Sequence, residues 1–118
     1  MTAKELFENI ERLKQECKKQ QNELRYEYAS EHNPVRIGDV ITDYIRTMRV
    51  TGMTVFGDLV PYMGYLGVEL TRKGIEKKHQ PSNQIPVFQT HVKFINGKPY
   101  NYRDSNPDYD RKSEITNL

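Results

Sequence analysis

The sequence predicts an α+β protein: a long N-terminal α-helix, then a small five-stranded SH3-like β-barrel, then a polar C-terminal tail. Three observations carry this. The first 33 residues hold no glycine or proline, and their apolar side chains recur at helical spacing. From residue 35 the apolar pattern shortens to that of strands and is broken repeatedly by glycine. Apolar residues are also concentrated: 19 lie in residues 35–70 and 6 in residues 85–95, against 11 in residues 1–34 and 5 in residues 96–118. The core therefore belongs to the strand region, and the chain divides into a helix over 1–33, a barrel over 34–102 and a flexible tail over 103–118.

Each element has a local reason. Thr2 followed three residues later by Glu5 is the spacing of a helix capping box. Glu, Lys, Gln, Arg and Leu then dominate, all good helix formers. Leu6, Ile10, Leu13, Cys17, Leu24 and Tyr28 form one narrow stripe, with Gln20 in its missing place. Asn33-Pro34 ends the helix, because the residue before proline is driven out of the α region. Such a helix spans roughly 40 Å. It either overhangs its own barrel or pairs with another copy.

Beyond Pro34, strands are expected around Val35–Ile37, Val40–Ile41, Ile45–Phe56 and Leu59–Leu70. Gly38-Asp39 marks a turn, and Pro61, Gly64 and Gly67 mark a bent strand. Residues 71–84 read as a polar basic loop, and Ile85–Ile95 as one further strand. Asn96-Gly97 is a type I′ hairpin signal, with Lys98–Tyr102 returning at an edge that Pro99 allows.

Composition excludes several classes. The 118 residues are 36% hydrophobic and 29% charged, with mean hydropathy −0.85. No apolar run approaches the length of a membrane span. The charged N-terminus lacks the apolar region of a signal peptide. A single cysteine cannot form an internal disulfide, so a reducing, cytoplasmic setting is expected. The net charge of +2 does not by itself imply a nucleic-acid partner.

No catalytic constellation emerges. His32, His79 and His91 share no metal-binding spacing, and Cys17 lies on the helix stripe as a small apolar residue would. Asp104, Asn106, Asp108 and Asp110 imitate the start of a calcium loop. The pattern fails because Tyr109 and Ile115 stand where Gly and Glu are required. Gly64 and Gly67 resemble a fragment of a nucleotide-clamping G-x-x-G turn, but in a strand context.

Two features remain as sites. Arg72, Lys73, Lys77 and Lys78 crowd one loop, with Arg46 and Arg49 on the neighbouring strand and Tyr65 among several aromatic platforms. Cations beside aromatic rings suit an anionic nucleotide-type ligand or single-stranded nucleic acid. Residues 33–95 carry 8 basic and 5 acidic side chains, a modest surplus. The second feature is the helix stripe, where Leu6, Ile10, Leu13, Cys17 and Leu24 form an oligomer interface.

The runs NPVRIGDVITD (33–43), YLGVELTRKGIEKK (65–78) and PVFQTHV (86–92) resemble a group of short proteins from gut bacteria and their phages. Those share a charged N-terminal helix and "vGDvI.D" and "Y.G..L...G" strands. The resemblance implies an accessory, phage-type, non-enzymatic protein. It would act by stoichiometric binding, inhibiting a host protein or capturing a small anionic ligand. The expectation is a cytoplasmic homo-oligomer with no cofactor, no metal and no membrane partner, and a nucleic-acid-binding barrel is the alternative.

Overall fold

The computed structural model describes residues 1–57, 59–81 and 84–111, and its architecture is α+β. Helix α1 (Ala3–Glu31) starts as expected: the Thr2 hydroxyl accepts the Glu5 N–H at 3.1 Å. It stops at Glu31, and His32 leaves helical geometry just ahead of Asn33-Pro34. Its 29 residues extend about 43 Å.

The strands are β1 (Val40–Thr42), β2 (Thr47–Phe56), β3 (Tyr62–Leu70), β4 (Val87–Phe88), β5 (Phe94–Ile95) and β6 (Lys98–Pro99). They form one antiparallel sheet in the order β4-β3-β2-β1-β5-β6. The five strands expected are thus six, and the sheet is open. Val35–Ile37, expected as a strand, forms none and leads into the turn at Gly38, whereas the predicted strand 85–95 is cut in two by a 3₁₀ turn at Gln89–His91. That turn carries the Gln89 side chain into the interior. Its amide oxygen accepts the Met63 N–H at 3.0 Å, and its nitrogen donates to the His32 carbonyl at 2.7 Å and the Tyr100 hydroxyl at 3.1 Å. Buried backbone groups require partners, and Gln89 can supply them only if the strand stops.

The β2–β3 hairpin is the spine of the sheet, in register from Thr47↔Leu70 to Phe56↔Tyr62 with a bulge between Val50 and Gly52. Gly67 is required by proximity: a Cβ there would run into the Arg49 carbonyl across the pair. The Asn96-Gly97 turn has φ of 51° and 79°, the left-handed values the hairpin signal predicts.

Ile41, Met48, Val50, Met63, Tyr65, Val87 and Val92 form the core, joined by Ala29 and Val35. Residues 103–111 are not simply tail. Helix α2 (Tyr102–Ser105) is followed by a 3₁₀ segment at Pro107–Arg111, and Tyr102 and Asn106 are buried. The Asn106 amide donates to the Tyr28 and Tyr102 hydroxyls at 3.1 and 3.0 Å, tying this stretch to α1. Residues 112–118 of the predicted tail lie outside the described residues.

Only Ala29 of α1 is buried. The molecule measures 66 × 37 × 18 Å with a radius of gyration of 18.6 Å, against about 13–14 Å for a compact chain of this length. The difference is the helix, which docks by its last two turns and projects beyond the sheet.

Candidate functional site

The helix stripe is bare. Leu6, Ile10, Leu13 and Leu24 are 51, 42, 61 and 66% exposed, Phe7 is 65% exposed, and Cys17 is exposed. The alternating steps of four and three place Ile10, Cys17 and Leu24 at a positions of a heptad and Leu6, Leu13 and Gln20 at d positions. Ala29, which docks on the sheet, falls at an f position, about 140° around the helix from Leu24. The sheet therefore occupies the face of α1 away from the seam. Tyr28, the last member of the predicted stripe, turns to its own molecule and exchanges hydrogen bonds with Asn106.

The predicted basic site separates into two parts. Arg72, Lys73, Lys77 and Lys78 are exposed on the segment between β3 and β4. The other members have structural partners. Arg46 donates from Nη1 to the Ile85 carbonyl at 2.7 Å and lies 3.6 Å from Asp43. Asp43 is itself the acceptor for the Ile45 and Arg46 N–H groups, closing the β1–β2 turn. Arg49 is ion-paired with Glu76 from the basic segment itself. Tyr65 is fully buried, and its hydroxyl donates to Asn33 at 2.5 Å. Burial pushes its phenol well above the ordinary value. A buried phenol offers no stacking face, so Tyr65 leaves the predicted site.

No protein-family model, curated protein or solved structure matches this chain.

No group of three or more His, Cys, Asp or Glu side chains among the described residues is placed to hold a metal ion. No helix among them is long and apolar enough to cross a membrane. Cys17 is exposed on the helix, and Asp43 accepts the Ile45 and Arg46 N–H groups in its turn.

Four aromatic platforms read from the sequence, Tyr44, Tyr62, Phe88 and Tyr102, meet in one cluster that His91 and Tyr109 join. Tyr44 and His91 meet edge-on at 6.2 Å, His91 and Phe88 at 5.8 Å, Phe88 and Tyr62 at 5.9 Å. Tyr62 then meets Tyr109, and Tyr109 meets Tyr102 at 5.2 Å. These rings come from four separated stretches of chain. The sequence offered these rings as platforms, with 8 tyrosines in a chain without tryptophan, but the 3₁₀ turn that gathers them was not predictable from strand periodicity. A cavity of about 400 Å³ opens beside this cluster, between the β1–β2 turn, residues 90–93 and the Tyr100–Tyr109 stretch.

Proposed function

We propose that this chain is a non-enzymatic accessory binding protein of the phage type. It works in the cytoplasm as a homo-oligomer joined through α1, and captures or inhibits a host protein or an anionic, nucleotide-type ligand in fixed stoichiometry. The observation that carries this reading is the seam of Leu6, Ile10, Leu13, Cys17 and Leu24, bare over its length while the sheet packs on the other face. Water-exposed leucines spaced as a heptad are costly singly and are covered when a second helix presents the same pattern. The SH3-like reading of the sheet is supported by its first five strands. Their order is β4-β3-β2-β1-β5, with a 3₁₀ turn between β4 and β5, as in a partly open barrel of that type.

Sedimentation of the intact chain tests the oligomer. The wild type should sediment as a multiple of 13.9 kDa, and Ile10→Asp with Leu13→Asp should sediment as a folded monomer with unchanged sheet circular dichroism. A monomeric wild type at micromolar concentration would remove the reading.

A nucleic-acid-binding barrel is the second reading. It is favoured by one observation, the four exposed cations of the 71–81 segment. Its affinity for RNA or DNA should fall steeply as salt rises. Absence of binding at low salt refutes it.

A further inference from the structure

We propose that the cavity beside the aromatic cluster is a binding site for a planar aromatic anion of the nucleoside monophosphate class. Its volume of about 400 Å³ lies within the range of small-molecule sites. Its walls include the rings of Tyr44, His91, Tyr100 and Tyr109, which offer π surface to a flat ligand. Its described lining includes Lys93 and Arg103, and no carboxylate is among the described lining residues. That charge pattern decides the sign of the occupant. Tyrosine rings alone would equally suit a quaternary ammonium ligand, but the Lys93 ammonium at the same opening repels one and attracts a phosphate.

The site is also preorganised. The Lys93 N–H donates to the Thr42 carbonyl at 2.8 Å, and the Lys93 carbonyl accepts the Tyr100 N–H at 2.8 Å, so the segment bearing the cation is fixed to the sheet. The Lys93 ammonium sits 4.2 Å above the Tyr44 ring. The Tyr100 hydroxyl is held by Gln89 and Ser105. Little ordering is left to occur on binding, which favours affinity for a small ligand. None of the cavity residues belongs to the 71–81 segment or to the helix seam. The inference rests on the small-ligand part of the function proposed above and is independent of oligomerisation.

Calorimetry with the intact chain at low salt tests it, using AMP, GMP, CMP and UMP, with adenosine and inorganic phosphate alongside. At least one monophosphate should bind with a dissociation constant of about 1–100 μM. Adenosine and phosphate should each bind at least about tenfold more weakly, because each lacks half of the recognised chemistry. Lys93→Ala and Tyr44→Ala should each weaken binding by about tenfold or more. Both side chains are exposed, so both variants should keep the wild-type melting curve. The proposal is overturned if no monophosphate binds at millimolar concentration, or if both variants bind as the wild type does. It is also overturned if Lys77→Ala with Lys78→Ala abolishes binding that Lys93→Ala leaves intact. Sedimentation of the same samples reports association separately, so a failed ligand site and a failed oligomer give different results.

Discussion

Glutamine side chains act in this protein as substitutes for backbone. An amide side chain has the donor and acceptor of a peptide group, so it can complete a ladder where no strand runs. Gln84 does so at the β3 edge, accepting the Gly67 N–H at 3.1 Å and donating to the Gly67 carbonyl. Gln80 repeats this at Glu69, at 2.9 and 3.0 Å. Gln89 is the buried case, and it connects the end of α1 to β3 and Tyr100. Gln89→Leu keeps the volume but strands the Met63 N–H and the His32 carbonyl. It should cost about 2–4 kcal/mol in chemical denaturation, and a loss below about 0.5 kcal/mol would show that water replaces the amide. Tyr65 and Tyr102 give the fold an alkaline limit. Burial raises both phenols above the ordinary 10.0, Tyr102 to about 12 against the opposing hydrogen bond from Asn106. Above that ordinary value the unfolded chain releases protons that the folded chain retains, so stability is full below about pH 10 and falls as pH rises. The slope is up to about 1.4 kcal/mol per pH unit for each tyrosine. Tyr65→Phe should lose about 0.5–1.5 kcal/mol at pH 7 with its bond to Asn33. It should also show a shallower decline between pH 10 and 12 in denaturation titrations, and an unchanged slope would contradict this account.

The elements differ in how far the sequence discloses them. The helix was legible because its signals are local: a capping box, good helix formers and a proline stop all lie within α1 and its ends. The Asn96-Gly97 hairpin was legible for the same reason. The region 85–95 was not, since a strand and a 3₁₀ turn with one buried glutamine carry the same alternating pattern, and the choice is made by His32 and Met63, distant in sequence. The 103–111 stretch looked like tail because its ordering depends on Asn106 reaching Tyr28, 78 residues away. The candidate site divides in the same way. Exposed lysines of the 71–81 segment were readable from charge, whereas the burial of Tyr65 and the engagement of Arg46 and Arg49 depend on tertiary neighbours. Gly67 illustrates a partial reading: a bent strand was expected, but the actual demand is the close approach of Arg49 from β2. Gly67→Ala should therefore force the β2–β3 pair apart and cost at least about 2 kcal/mol in denaturation. A loss under about 1 kcal/mol would mean that the pair shifts without strain.

At the scale of the whole molecule, the sense of the proposed helix pairing would determine where the sheets of two copies lie. A parallel, in-register seam stacks each layer on its own copy, so Gln20 meets Gln20 of the partner subunit and both amides find a partner. An antiparallel seam centred on Gln15 would set Ile10 against the partner's Gln20. It would also bring Glu16 toward the partner's Glu16 and Lys14 toward the partner's Lys14, all unfavourable. For the proposed oligomer these contacts favour the parallel sense, which would place both sheets at one end of the seam. Cys17 reports the choice. At an a layer of a parallel pair the two Cys17 residues face each other within the Cα separation a disulfide allows, about 4.4–6.8 Å. In the antiparallel pair the partner's Cys17 is displaced by about 6 Å along the axis, which puts it out of reach. Mild oxidation at micromolar concentration should therefore give a covalent dimer on non-reducing electrophoresis. The melting temperature of the oxidised protein should no longer depend on concentration, while that of the reduced protein rises with it. Ile10→Asp with Leu13→Asp should suppress the cross-link even though Cys17 remains exposed. A wild type that associates but does not cross-link would establish the antiparallel sense and separate the two sheets to opposite ends of the seam.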